Sequence, residues 1–448
     1  MKRLHLVSLG CPKNLVDSEV MLGCLEDDGF AVVEDPAAAD VLLVNTCGFI
    51  LPAVEEAIDE ILRLSEYKRD DPTKLLVVTG CLVQRYGRDL QNELPEVDLF
   101  TGTDGFQDIV SLIRRAAKGK QVHLELRPAK YLMDSGVARR LSTPPFRSYL
   151  KITEGCDNRC SYCMIPGIRG RLRSRTVADL AAEARRLEGF GVRELTLIGQ
   201  DLTAYGADLP DGSSLVSLLE ELLRETSIPW LRLLYLYPAG ISDELLRLMA
   251  GQERIVPYLD IPLQHVSDQV LERMNRRYGR RELDDLLARI RKFLPDCAIR
   301  TTLMVGFPGE TEENVEEMIE FLAQWRLDHV GLFSYADEEG SPAFLLPDKI
   351  TEEEKQARYE RVMECQAAIS AARQQRFVGR VVPVLIEGVS DESDLLLEGR
   401  TRYQAPDIDG CVYITAGRAD QGDIAPVLIT EAHTYDLVGE LRAEGEEQ

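Results

Sequence analysis

At 448 residues the chain is too long for one ordinary core, and two to four domains are expected. No run approaches the ~18 apolar residues of a membrane span, and the first ten residues carry too short an apolar stretch for a secretory leader, so a cytoplasmic protein with reduced thiols is expected. The net charge of −24, from 52 basic and 76 acidic residues, argues against general affinity for nucleic-acid phosphates and suits a basic partner, although a local Arg patch can still act inside an acidic protein.

From the N-terminus to about residue 125, apolar runs at 3–8, 41–45, 74–79 and near 97–101 alternate with amphipathic stretches at 14–27, 52–65, 84–92 and 107–118. This alternation predicts an open parallel sheet covered by helices. Cys11, Cys47 and Cys81 each directly follow a predicted strand, at the sheet edge where open α/β folds bind ligands. They could converge on one site although far apart in sequence. Spacing alone does not identify a cluster, and each taken singly reads as a packed thiol. Residues 126–145 are weakly patterned and contain proline, so they read as a linker.

Strand–helix alternation resumes from 146 to about 336, with strands expected near 148–153, 194–198, 231–237, 258–262, 299–305 and 329–335. Six such units are compatible with a partial TIM-type barrel, short of two units, a fold that carries its chemistry at the C-terminal strand ends. Cys156, Cys160 and Cys163, spaced C-x-x-x-C-x-x-C, follow the first of these strands. A structural zinc site takes four protein ligands, and no fourth Cys or His lies nearby. Three thiolates on a 4Fe–4S cube leave one iron free. A zinc knuckle or three buried thiols is the alternative reading. The spacing, with Tyr162 before the third Cys, resembles the signature of radical S-adenosylmethionine (SAM) enzymes, in which the free iron binds SAM.

That resemblance extends to other strand ends: 197–203, 260–265 and 300–311. It implies cofactor contacts from Tyr162, Gln200, Thr203, Gln264 and Arg300. Each has a plainer reading as well: Gln264 or His265 could satisfy rim backbone groups, and Arg300 could pair with a structural carboxylate. The alternating Arg169, Arg171, Arg173 and Arg175, and the run Arg276, Arg277, Arg280, Arg281, read either as solvated surface or as anchors for an acidic group. Cys24, Cys297, Cys365 and Cys411 read as small buried hydrophobes.

A long helix is expected at 352–376, then short β-type runs at 380–386, 394–398, 410–414 and 423–431 that predict a small barrel. The stretch 399–410 resembles the TRAM domain of RNA-modifying enzymes. Residues 377–438 nevertheless hold 4 Arg and 11 Asp/Glu, a net of 4 − 11 = −7, a poor funnel for RNA. The Glu-rich 441–448 reads as a disordered tail.

Taken together, the chain from Leu4 to about Val438 resembles the radical SAM methylthiotransferases. Expected domains are 1–125 (α/β with an auxiliary Fe–S site), 142–376 (radical SAM (β/α)6 barrel) and 377–440 (TRAM-like β-barrel). The resemblance implies a second 4Fe–4S cluster on Cys11, Cys47 and Cys81, which holds the sulfur to be transferred, and two roles for SAM as methyl donor and radical source. Two branches compete: one modifies an adenosine of tRNA, the other the β-carbon of an aspartate in ribosomal small-subunit protein twelve. The stretches Gly10–Glu19 and Asn45–Ile50 resemble the second branch, and the acidic charge agrees. Expected partners are that basic protein, free or in the assembled subunit, and an electron donor such as flavodoxin or ferredoxin, with tRNA and membrane not expected.

Overall fold

A computed structural model describes residues 2–119 and 123–442. The N-terminal unit is a parallel sheet of β1 (Arg3–Ser8), β2 (Ala31–Val32), β3 (Val41–Thr46), β4 (Leu75–Gly80), β5 (Leu99–Thr101) and β6 (His123–Glu125), in the order β2-β1-β3-β4-β5-β6. Helices α1 (Pro12–Asp27), α2 (Leu51–Asp70), α3 (Cys81–Glu93) and α4 (Ile109–Ala116) connect the strands. The pattern gave four of the six strands. β2 and β6, two and three residues long, are too short to show a period.

The central unit carries six parallel strands: β7 (Arg147–Lys151), β10 (Glu194–Ile198), β11 (Trp230–Leu233), β12 (Ile255–Asp260), β13 (Ala298–Val305) and β14 (His329–Ser334). Two short strands, β8 (Thr153–Glu154) and β9 (Arg173–Ser174), pair beside them and bracket α5 (Ile165–Arg169). Helices α6 (Val177–Gly189), α7 (Leu215–Glu225), α8 (Asp243–Gly251), α9 (Asp268–Arg273), α10 (Arg280–Phe293), α11 (Glu312–Trp325) and α12 (Glu352–Gln374) complete the unit. Alternation sends Leu195, Leu197, Leu231, Leu233, Ile255 and Leu259 outward, where the helices bury them in the largest core.

Facing the other way, Tyr149, Ile198, Trp230, Val256, Tyr258 and Ala298 line the inside of this open barrel. Val16 and Val20 of α1 pack there, with Leu385 and Ala405 of the C-terminal unit. The incomplete barrel is thus filled by side chains of its neighbours as well as by its own.

The C-terminal unit is a closed barrel of β15 (Val381–Ser390), β16 (Ser393–Thr401), β17 (Val412–Ile414), β18 (Ile424–Ala432) and β19 (Leu437–Leu441), ordered β15-β16-β17-β19-β18. β19 is a correction: Leu441, assigned above to a tail, pairs with Val427. Of the proposed tail, 443–448 lies outside the described residues. The loop after β16 enters the central barrel. Its Asp409, almost wholly buried, accepts from Tyr258 Oη (2.7 Å) and pairs with Arg300 (3.5 Å) and His329 (3.5 Å), while Asp407 pairs with Arg147 (2.9 Å).

Residues 126–145 are no loose linker, although they have no regular structure. Arg139, whose side chain is 2% exposed, bonds Glu19 of α1 (2.7 Å) and Glu183 of α6 (2.7 Å). Ser142 N–H also donates to Glu19 (2.8 Å). The segment therefore fastens the first sheet to the barrel through buried charge pairs. Among the described residues no helix is long and apolar enough to cross a membrane.

Candidate functional site

Cys11 is the N-cap of α1, with Pro12 fixing the first turn. Cys47 follows β3, and Cys81 opens α3 directly after β4. Adjacent parallel strands β1, β3 and β4 thereby deliver three thiols to one sheet edge. Two glycines allow the approach. A Cβ at Gly10 would lie 2.7 Å from Cys47 Cβ, and one at Gly48 would lie 2.6 Å from Leu82 Cα.

Beneath this trio, Asn14 Nδ2 donates to Leu9 O (2.7 Å), and Asn45 Nδ2 donates to Asn14 O (2.9 Å) and Ser18 Oγ (2.8 Å). The loop after Cys47 is held from the central barrel. Glu338 accepts from Leu51 N–H (2.7 Å) and pairs with Arg85 (2.9 Å), which donates to Gly48 O (3.0 Å).

Electrostatics separate the three sulfurs. Burial pushes the Cys81 thiol up to about 11 and also raises Cys47. Burial would raise Cys11 too, but the charges of Lys13 and Arg169 and the first-turn amides pull it below its ordinary value. Arg169 is the central group. Its Nη2 donates to Cys81 Sγ (3.4 Å) and Asn14 Oδ1 (3.3 Å), and its Nη1 to Asp17 (2.7 Å). Lys151 bonds Asp17 and Glu154 in the same buried network.

Cys156, Cys160 and Cys163 lie on the loop between β8 and α5. Ile165 N–H donates to Cys163 Sγ (3.5 Å), and Arg276 Nη1 to Cys160 Sγ (3.3 Å). Arg276 is itself fixed by Pro262 O (2.7 Å) and Tyr278 Oη (2.6 Å) and lies 4.5 Å from the centre of the Tyr237 ring. Burial pushes the Cys156 thiol up to about 11 and that of Cys163 to about 12. Asn158 Nδ2 donates to Asp201 Oδ2 (2.8 Å), which ties this loop to the end of β10. One short helix links the trios in space: α5 starts two residues after Cys163 and ends at Arg169, whose guanidinium donates to Cys81.

Among the described residues no three His, Cys, Asp or Glu side chains are placed to hold a single metal ion. A cube spaces its thiolates more widely, since each binds its own iron. In each trio one sulfur belongs to a buried residue and two to half-buried ones.

The five residues expected at the cofactor differ in how they are engaged. Gln200 Oε1 is buried with no hydrogen-bond partner, and Tyr162 Oη accepts from Arg276 (3.4 Å). Thr203 Oγ1 donates to Asp201 (2.6 Å). Gln264 has a left-handed φ of 70° and bridges to Leu303 through its backbone. Arg300 lies between Asp260 (3.2 Å) and Asp409 (3.5 Å). His265 Nδ1 accepts from Ser267 N–H (3.0 Å), and Nε2 faces Glu310 (3.3 Å).

Sequence reasoning gave no role to Lys13, Tyr235 or Tyr237. It saw Arg169 and Arg276 only as members of basic runs. Arg169 and Arg276 are not solvated, although Arg171 of the first run and Arg281 of the second are largely exposed, and Arg175 is buried against Asp179 and Glu183.

Three family models match in succession: an uncharacterised protein family, UPF0004, over residues 3–102, the radical SAM superfamily over 150–322 and the TRAM domain over 378–441. The fold is similar to that of the radical SAM methyltransferase TsrM from Kitasatospora setae (TM-score 0.53, 17% identity, 74% of this chain and 73% of that one). A ribosomal protein uS12 methylthiotransferase RimO of Desulfotalea psychrophila is 56% identical over 98% of both chains. The protein of the same name from Syntrophotalea carbinolica is 49% identical over 100% of this chain and 98% of its own. With that identity sustained across all three units, the chain belongs to the ribosomal protein uS12 methylthiotransferase RimO family.

Proposed function

We propose that this protein is a radical SAM methylthiotransferase that adds a methylthio group to the β-carbon of an aspartate in ribosomal protein uS12. The observation that carries the reading is the pairing of two thiol trios through α5 and Arg169, together with a cation donating to one sulfur of each. Relatives 46–56% identical carry the uS12 name, so the tRNA alternative is not favoured. The three domains are taken as 1–125, 142–376 and 377–440, and the working compartment as the cytoplasm.

Cys11, Cys47 and Cys81 would hold one 4Fe–4S cluster, and Cys156, Cys160 and Cys163 the other. Bound there, the clusters and SAM supply the sulfur, the methyl group and a radical able to break an unactivated C–H bond. The chain orients and shields. Arg276 neutralises charge at Cys160 while its own bonds keep it from rotating. Gln200, with its orphaned buried oxygen, is the best placed of the polar residues to accept a hydrogen bond from SAM. Tyr162, Thr203, Gln264 and Arg300 complete the proposed cofactor pocket. Asp260, whose carboxyl burial holds above its ordinary value, bonds Tyr235 N–H (2.9 Å) and Arg300. A reduced redox protein such as flavodoxin or ferredoxin would supply electrons, and uS12 would be met free or in the assembled subunit.

The test is anaerobic reconstitution, iron and sulfide counting, and mass measurement of uS12 after incubation with SAM and reductant. About eight irons per chain and the mass gain of one methylthio group in place of hydrogen are expected. Cys160→Ala should abolish SAM cleavage. Cys47→Ala should retain SAM cleavage and lose methylthiolation. A Cys47→Ala protein that still methylthiolates uS12 overturns the two-trio assignment.

A further inference from the structure

Cations at the seam between the first sheet and the central barrel come with carboxylates. Lys151 has Asp17 and Glu154, Arg169 has the same two, and Arg139 has Glu19 and Glu183. Lys13 is the exception. It is half-buried in the first turn of α1, and among the described residues it forms no ion pair with a carboxylate, while its charge acts on Tyr235 and Cys11. Its ammonium lies over the Tyr235 ring, 3.3 Å from the centre. A cation on an aromatic face keeps its charge available for a second, anionic partner.

Tyr235 lies on the segment leaving β11 and has a left-handed φ of 66°, which a bulky residue adopts only where its surroundings enforce it. Its N–H donates to Asp260 Oδ2 (2.9 Å) and its carbonyl accepts from Leu202 N–H (3.0 Å). Two residues on, Tyr237 carries the Arg276 guanidinium that donates to Cys160 Sγ. One stretch of three residues, no more than about 7 Å between its end Cα atoms, therefore supports Lys13 beside Cys11 at one end and Arg276 beside Cys160 at the other.

We propose that Lys13 selects the substrate by pairing with the side-chain carboxylate of the peptide residue presented between the two thiol trios. This rests on the function proposed above and adds the group that recognises the acidic side chain. Arg169 is not available for that role, because Asp17, Glu154 and Asn14 already bind its guanidinium. An amide in place of the substrate carboxylate would leave the ammonium with only the Cys11 sulfur, itself committed to the trio, as counter-charge, and that loss is the source of discrimination.

The experiment uses the reconstituted holoenzyme. Equilibrium binding of uS12 with its target aspartate, or with asparagine there, is measured by fluorescence anisotropy for wild type, Lys13→Gln and Lys13→Arg, alongside KM and kcat for the aspartate form. Wild type should favour aspartate by about tenfold or more, the value of one charge-assisted hydrogen bond. Lys13→Gln should bring that ratio close to one and raise KM more than it lowers kcat, with iron and sulfide content retained. Lys13→Arg should restore part of the preference. The proposal fails if Lys13→Gln keeps the wild-type preference. It also fails if iron is lost from the first trio while the preference is unchanged, which would make Lys13 a counter-charge to the cluster alone. Wild type that neither binds nor modifies uS12 overturns the functional reading, and this inference with it.

Discussion

Arg169 and Arg276 each donate to one sulfur of a trio, and each is pinned by bonds to groups that are not ligands. A pinned cation beside a thiolate does two things. It offsets the cost of gathering three negative sulfurs in a partly dry site, and it stabilises the more negative, reduced state of whatever metal centre those sulfurs bind. Arg276→Gln removes the charge at Cys160 and leaves Cys81 and Arg169 untouched. The reduction potential of the cluster proposed on Cys156, Cys160 and Cys163 should then fall by about 50 mV, close to a tenfold change for a one-electron couple. The other cluster should not move, and an EPR-monitored redox titration resolves the two. A shift of equal size in both would mean that Arg276 acts through general folding rather than at its own sulfur.

At the scale of elements, the joint between β10, β11 and β16 rests on a single carboxylate. Glu194, fully buried at the start of β10, takes Arg232 of β11 (2.6 Å) and Arg400 of β16 (2.6 Å). Burial alone would raise its carboxyl, but the two guanidinium groups hold it down at about 2. The unfolded value is about 4.3. A group depressed on folding stabilises fully above its unfolded value and loses that contribution as pH falls toward the folded one. Acid between about pH 4.3 and 2 should therefore loosen the C-terminal barrel. Glu194→Gln should cost about 3–5 kcal/mol at neutral pH, because the buried Arg232 loses its anion and Arg400 is left with Glu387 alone, and its remaining stability should depend less on pH in that window. Thermal unfolding across pH checks both.

Such joints mark the limit of what was legible in the sequence. Local period identified the strands of the central barrel and placed all six cysteines at strand ends, since a strand of five or more residues alternates visibly. The two-residue β2 and three-residue β6 have no period to see. In β19, Gly439 and Glu440 break the apolar run, and the barrel's last strand looked like the start of a tail. Asp409 and Arg300 are more than a hundred residues apart, so the plugging of the barrel by the loop after β16 left no local trace. Residues 126–145 looked loose for the same reason, because the order of Arg139 comes from Glu19 and Glu183.

Over the whole molecule, the acidic excess does not act where the sequence alone would place it. Of the acidic residues in the C-terminal barrel, Asp407, Asp409 and Glu387 face Arg147, Arg300 and Arg400 across the seam, so they hold the barrel in place. Asp391 and Glu392, at the exposed turn between β15 and β16, and Asp394 at the start of β16 remain free to meet solvent. The long-range field still follows the net charge of −24, because paired charges cancel only each other. A very basic ribosomal protein approaching this enzyme is pulled from a distance, and salt removes that pull before it disturbs any close contact. Between about 0.1 and 1 M salt the screening length falls from about 10 to about 3 Å. The association rate with uS12, followed by stopped-flow fluorescence, should drop by at least about tenfold over that range while the dissociation rate changes much less. A rate indifferent to salt would mean that the acidic surface plays no part in finding the substrate, and recognition would then fall to the contacts between the thiol trios alone.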